Sequence, residues 1–156
     1  MIVFLDTNIL NLITTPGDRD EAEKCKMWFY TLLVRGAYIT TSDICIYEIS
    51  RGLLAESLRR GKELEGLQEL TELKNQIELQ SVTQAVLNRA ALVWAQSQYQ
   101  GLPMTDAKRL DADAIICAHW QLLEEENQGR SVIIASTNLR HLNRFAIADL
   151  WQNVNL

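Results

Sequence analysis

Four places in this sequence put carboxylates, or an amide in place of one, where an ordinary core would not have them. Asp6 follows the apolar run Ile2-Val3-Phe4-Leu5. Glu48 comes one residue after Tyr47, at the border of the apolar stripe of a long helical stretch. Asp111 and Asp113 open a segment, Ala114 to Trp120, that reads as buried around most of its circumference. Asn138 closes the polar triplet Ser136-Thr137-Asn138 after the apolar run Val132-Ile133-Ile134. Unpaired charge in such surroundings is expensive. Carboxylates gathered at one edge of a sheet repel one another unless a hard divalent cation neutralises them. Mg²⁺ or Mn²⁺ held in this way supports phosphodiester hydrolysis. The competing reading of Asp6 and Thr7 is simple helix capping. Asp111 and Asp113 diverge by about 200° on a helix, so both serve one ion only if Asp111 lies outside the helix as its N-cap.

The elements that must position these groups alternate between short apolar runs and helical periodicity. Ile2 to Leu5 is too short for a helix and suits a strand covered on both faces; Asp6-Thr7-Asn8 turns it into a short helix broken at Pro16-Gly17. From Asp20, the positions Ala22, Met27, Phe29, Tyr30, Leu32 and Leu33 suit a packed helix that Gly36 ends. Tyr38 to Thr41 reads as a second strand, and Ser42 as the N-cap of a helix from about Asp43 to Arg60, with Ile44, Tyr47, Leu54 and Leu58 as its stripe. Lys62 to Gln76 repeats leucine every third residue and is amphipathic. Ile77 to Leu79 is either a short strand or the exit from that helix. Thr83 to about Tyr99 is helical, with Ala85, Val86, Ala90, Val93, Trp94 and Ser97 inward, and Gly101 and Pro103 stop it. Ser131 to Ala135 is a second buried strand, and Leu150 to Val154 a last short one. The alternation predicts an α/β fold with helices flanking a central, mostly parallel sheet of four to five strands, in a single domain spanning 1–156. In such sheets the reactive groups collect beyond the carboxyl ends of the strands.

Composition narrows the function. A net charge of −5 argues against a surface that clamps nucleic acid all over, while permitting a basic rim around an acidic centre. Lys108, Arg109, Arg140, His141 and Arg144 flank the acidic positions and are candidates for phosphate contacts, with Arg109 and Arg140 foremost. Cys25, Cys45 and Cys117 have no CxxC spacing and read as reduced, buried thiols. No stretch approaches the roughly 18 apolar residues of a membrane span and no leader-like pattern opens the chain, so a cytoplasmic protein is expected. His119 reads as a packed histidine, and Trp28, Trp94, Trp120 and Trp151 as core, since no basic residues interleave them as an RNA-stacking surface requires.

Phe4-Leu5-Asp6-Thr7-Asn8, Tyr47-Glu48-Ile49-Ser50-Arg51-Gly52, Asp113-Ala114-Ile115-Ile116-Cys117-Ala118 and Ser136-Thr137-Asn138 resemble, in order, the four motifs of PIN-domain ribonucleases. Within that family the sequence is most similar to the VapC-like toxins of toxin–antitoxin pairs. The resemblance spans nearly the whole chain. It implies a three-layer α/β/α PIN-like fold and a Mg²⁺- or Mn²⁺-dependent endoribonuclease. Asp6, Glu48 and Asp113 would be the metal-binding acidic core and Asn138 the fourth catalytic position. Thr7, Asn8, Ser136 and Asp111 would be orienting or alternative groups. Asn138 stands where many members carry Asp, which implies weaker metal binding. The implied partners are an RNA substrate, a small antitoxin protein and a second copy of the chain. A non-catalytic module of the same fold is the alternative. A phosphatase of the haloacid dehalogenase type would need a second Asp two residues after Asp6, where Asn8 stands.

Overall fold

The computed structural model describes residues 1–17, 20–101 and 112–156. Eleven elements follow one another: β1 (Ile2–Leu5), α1 (Thr7–Thr14), α2 (Asp20–Val34), β2 (Tyr38–Ser42), α3 (Asp43–Arg60), α4 (Glu65–Lys74), β3 (Glu78–Gln80), α5 (Gln84–Tyr99), α6 (Ala112–Glu126), β4 (Val132–Ser136) and β5 (Ala148–Leu150). Short 3₁₀ turns cover Leu142–Arg144 and Trp151–Asn153. The strands form one sheet in the order β3-β2-β1-β4-β5, and every neighbouring pair is parallel.

The centre of the sheet is where the apolar runs put it. β1 pairs with β2 on one side and with β4 on the other, Phe4 lying opposite Thr40 and Ile134. All four of its residues are buried, as a strand covered on both faces requires. Helices α1 to α4 pack among themselves with α1 at the hub; α5 lies along α6, and α6 packs on β4. The result is the expected α/β/α layering. Trp28 and Trp151 meet with ring centroids 5.7 Å apart, and Trp28 Nε1 donates to Val154 O at 2.7 Å, which holds the tail onto α2.

Helix ends follow local chemistry. Ser42 caps α3 by accepting from Ile44 N, and Thr83 caps α5 by accepting from Val86 N. Gly61, at φ 64°, ends α3 in the left-handed conformation that glycine adopts without strain. Gly66 has another purpose: a Cβ there would lie 3.0 Å from Leu53 Cδ2 and 3.1 Å from Thr14 O, so its missing side chain lets α4 close on α1 and α3.

Several helix stripes differ from the sequence expectation. In α3 the buried residues are Ile44, Cys45 and Ile49, whereas Tyr47, Leu54 and Leu58 are exposed. In the second half of α3 it is Leu53 that packs against the core, closing on Gly66 of α4, while Leu54 lines the groove between α3 and α4. Met27 and Tyr30 on α2 are exposed for lack of a covering layer, as is Trp94 on α5, while Trp120 and Trp151 are buried and Trp28 is half-buried. The last strand is Ala148–Leu150 and not 150–154, because the chain turns into a 3₁₀ helix at Trp151. All three cysteines are free and buried.

Candidate active site at the sheet switch point

From β1 the chain works outward through β2 and β3, then returns to the opposite side of β1 for β4 and β5. At such a reversal the connections leave a crevice beyond the strand ends. Asp6 stands at its floor: it ends β1, caps α1 and is 6 % exposed. Its Oδ1 accepts from Thr7 N at 2.6 Å, and its Oδ2 accepts from the hydroxyl of Ser136, at the end of β4, also at 2.6 Å. The capping and ligand readings are therefore compatible, because one oxygen caps the helix while the other faces β4.

Glu48 reaches the crevice from α3. Its Oε2 accepts from Thr7 Oγ1 at 2.7 Å, and its Oε1 lies 3.5 Å from Arg51 Nη2, whose guanidinium also sits over the Tyr47 ring. Asp113, half-buried in the first turn of α6, is the third acid. Its charge and that of Glu48 both act on Asp6. Burial above all, and then Asp113 and Glu48, push the Asp6 carboxyl up to about 6 from 3.8, against the lowering effect of Ser136 and Thr7. Cys45 and Cys117 flank the same pocket; burial, aided by the carboxylate charges, pushes both thiols up to about 12, which leaves them neutral and inert.

Thr7 thus bridges Asp6 and Glu48, and Ser136 holds Asp6 from β4. Ser136 Oγ also accepts from Asn138 N at 2.9 Å. The Asn138 side chain is turned into its own loop, where Oδ1 accepts from Arg140 N at 3.4 Å. Asn8 is exposed and takes no part in the network, and Arg140 is exposed beside Asn138. Asp111, Lys108 and Arg109 lie outside the described residues. His119 is a packed histidine, 3 % exposed, with its ring 6.0 Å from that of Phe4 and Nε2 2.9 Å from Ser42 Oγ. Arg51 was the residue missed from sequence, although its place three residues after Glu48 on a helix is the spacing of an ion pair.

Carboxylates beside hydroxyls are the donor chemistry that suits a hard divalent cation, and the Asp6 carboxyl is raised first by burial and then by the charges of Asp113 and Glu48. Among the described residues no three His, Cys, Asp or Glu side chains stand close enough together to enclose an ion, and Glu48 is turned to Thr7 and Arg51.

The chain is thus a parallel five-stranded α/β/α domain with Asp6 at the switch point of its sheet. The PIN-domain family model matches residues 3–146, so the chain belongs to the PIN-domain family, whose members are generally nucleases. Solved structures with the same fold include a toxin–antitoxin complex from Klebsiella pneumoniae, 19% identical with a TM-score of 0.58, covering 97% of this chain and 99% of that one. VapBC2 from Rickettsia felis, bound to a DNA fragment from its promoter, is 18% identical with a TM-score of 0.68, covering 97% of this chain and 99% of that one. VapBC-1 from nontypeable Haemophilus influenzae is 14% identical with a TM-score of 0.68, over 98% and 100%. No curated protein matches the sequence significantly.

Proposed function

We propose that this protein is a metal-dependent endoribonuclease and the toxin of a toxin–antitoxin pair. The observation that carries the reading is that Thr7 joins Asp6 to Glu48, its N–H bonded to one carboxylate and its hydroxyl to the other, while Asp113 acts on Asp6 through its charge from a third element. Asp6, Asp113 and Glu48 would hold Mg²⁺ or Mn²⁺. The bound ion would supply charge neutralisation at the scissile phosphate and a more acidic water. The chain's own contribution is orientation. Ser136 and Thr7 fix the two oxygens of Asp6, and the Thr7 hydroxyl aims Glu48. Arg140, exposed at the rim, offers a charge to RNA phosphate, as would Arg109. Asn138 would offer its amide to a water held at the ion, and this reading requires no covalent enzyme intermediate.

An antitoxin partner is supported by the toxin–antitoxin complex among the fold neighbours. The groove that suits it lies between α3 and α4, a cavity of about 480 Å³ lined by Leu54, Leu67, Leu70, Glu63 and Glu72 among others. A second copy of the chain is the other partner of this reading, and Leu87, Leu92, Trp94 and Tyr99 leave apolar surface on α5 that it could cover. No helix among the described residues is long and apolar enough to cross a membrane.

The test is cleavage of a mixed single-stranded and structured RNA pool with Mn²⁺, with Mg²⁺ and with EDTA, alongside Asp6→Asn and Asp113→Asn. Cutting that needs the ion and fails in both variants is the expected result. The second reading, a non-catalytic PIN module, is favoured by Asn138, an amide whose carbonyl serves its own loop. A folded protein that neither binds Mn²⁺ nor cuts the pool would establish that reading in place of the first.

A further inference from the structure

We propose that Ser42 and His119 form a buried positioning pair, which locks the helix carrying Glu48 against the helix carrying Asp113 and so sets the affinity of the site for a divalent ion. The inference rests on the metal-site reading above. Ser42 Oγ and His119 Nε2 are 2.9 Å apart, and the two residues are 0 % and 3 % exposed. Ser42 is the residue at which β2 becomes α3: its backbone is still extended while its hydroxyl accepts from Ile44 N at 3.2 Å. Whatever holds Ser42 holds the start of α3, and Glu48 follows six residues later on the same helix. His119 stands six residues after Asp113 on α6, about 9 Å along the helix axis. The contact adds one constraint between the start of α3 and α6, on top of the sheet pairing that anchors Ser42 in β2, and so narrows the range of separations open to the two acids.

The ring is tied to the third acid as well. It packs near Phe4 of β1, the strand that ends in Asp6. The three elements that bear the acidic core therefore meet around His119. Packing alone does not call for a histidine here, since its neighbours along α6 are Ala114, Ile115, Ile116, Cys117, Ala118 and Trp120, and an apolar side chain would fill the space without a buried nitrogen to satisfy. What the imidazole adds is a directional link to one hydroxyl. Burial holds its pKa at about 4, so the link joins neutral groups at pH 7.

The experiment compares Mn²⁺ affinity of the full chain, read from free Mn²⁺ by electron paramagnetic resonance, for wild type, His119→Leu, His119→Gln and Ser42→Ala, with thermal unfolding in EDTA run on each. Losing such an orienting partner is expected to weaken Mn²⁺ binding roughly tenfold in His119→Leu and in Ser42→Ala. His119→Gln, whose amide reaches to a similar distance, should stay within about threefold of wild type. Thr83→Ala, which removes a comparable N-cap from α5, should leave affinity unchanged. Because Ser42→Ala is independent of any packing defect at position 119, the test survives a His119→Leu variant that does not fold. Wild-type affinity, within twofold, in folded His119→Leu or in Ser42→Ala overturns the pairing alone. A wild-type protein that binds no Mn²⁺ overturns the pairing and the metal-site reading together.

Discussion

Asp6 is the residue at which stability and function oppose each other. Its carboxylate is buried beside two other acids, and its pKa of about 6 shows that the charged form is costly in the ion-free protein. Asp6→Asn is expected to abolish cleavage, with activity falling at least about a hundredfold if transition-state charge is no longer neutralised. The same substitution removes the charge penalty, worth up to about 3 kcal/mol from the displacement of its pKa. It keeps the cap, since Asn caps as well as Asp, but weakens the bond that the carboxylate accepts from Ser136, a loss of about 1 kcal/mol. The net expectation is an ion-free variant more stable by about 1–2 kcal/mol, measured by urea unfolding in EDTA. An inactive variant that is also clearly less stable would mean that Asp6 serves the fold before the site.

Among the elements, α4 shows how a missing side chain decides a packing distance. Gly52 in α3 has no atom within 4 Å of where a Cβ would stand, whereas at Gly66 the Cβ would press on Leu53 and on the carbonyl of Thr14. Gly52→Ala is expected to stabilise the protein by about 0.5–1 kcal/mol through helix propensity alone. Gly66→Ala is expected to lose that gain and to destabilise by about 1 kcal/mol or more, since backbone cannot yield as a flexible side chain does. Thermal unfolding of the two single variants reads the contrast directly. If both stabilise equally, α4 has room to move and the groove between α3 and α4 is softer than its packing implies.

Over the whole molecule, stability against pH should be a balance of two buried groups acting in opposite directions. The folded-state pKa of His119 is depressed from 6.5 to about 4, so stability is full above 6.5 and is lost as pH falls towards 4. Asp6 is raised from 3.8 to about 6, so its penalty is full above 6 and is relieved as pH falls towards 3.8. Between pH 7 and 5, His119 costs roughly 2 kcal/mol and Asp6 returns roughly 1 kcal/mol, leaving a shallow net loss. His119→Gln should therefore turn the loss into a small gain, and Asp6→Asn should steepen it. Chemical denaturation at the two pH values in EDTA checks both signs.

The sequence by itself determined the α/β class and the mostly parallel sheet, and it singled out the acidic positions as candidates. Those signals are local: an apolar run long enough for a strand and not for a helix, a polar residue at its end, and a carboxylate at the mouth of an apolar helix. The capping of α3 by Ser42 and the buried state of His119 were legible for the same reason. Tertiary structure decided which helix faces are covered, because coverage depends on which elements pack against each helix. That is why Leu54 and Leu58, at proper helical spacing, face solvent, and why Trp94 is not core. It also decided the pairings across the site. Ser136 reaches Asp6 from 130 residues away and Thr7 reaches Glu48 from 41 away. No periodicity encodes such contacts, because they arise only once β1, β4 and α3 are brought to one edge by strand order.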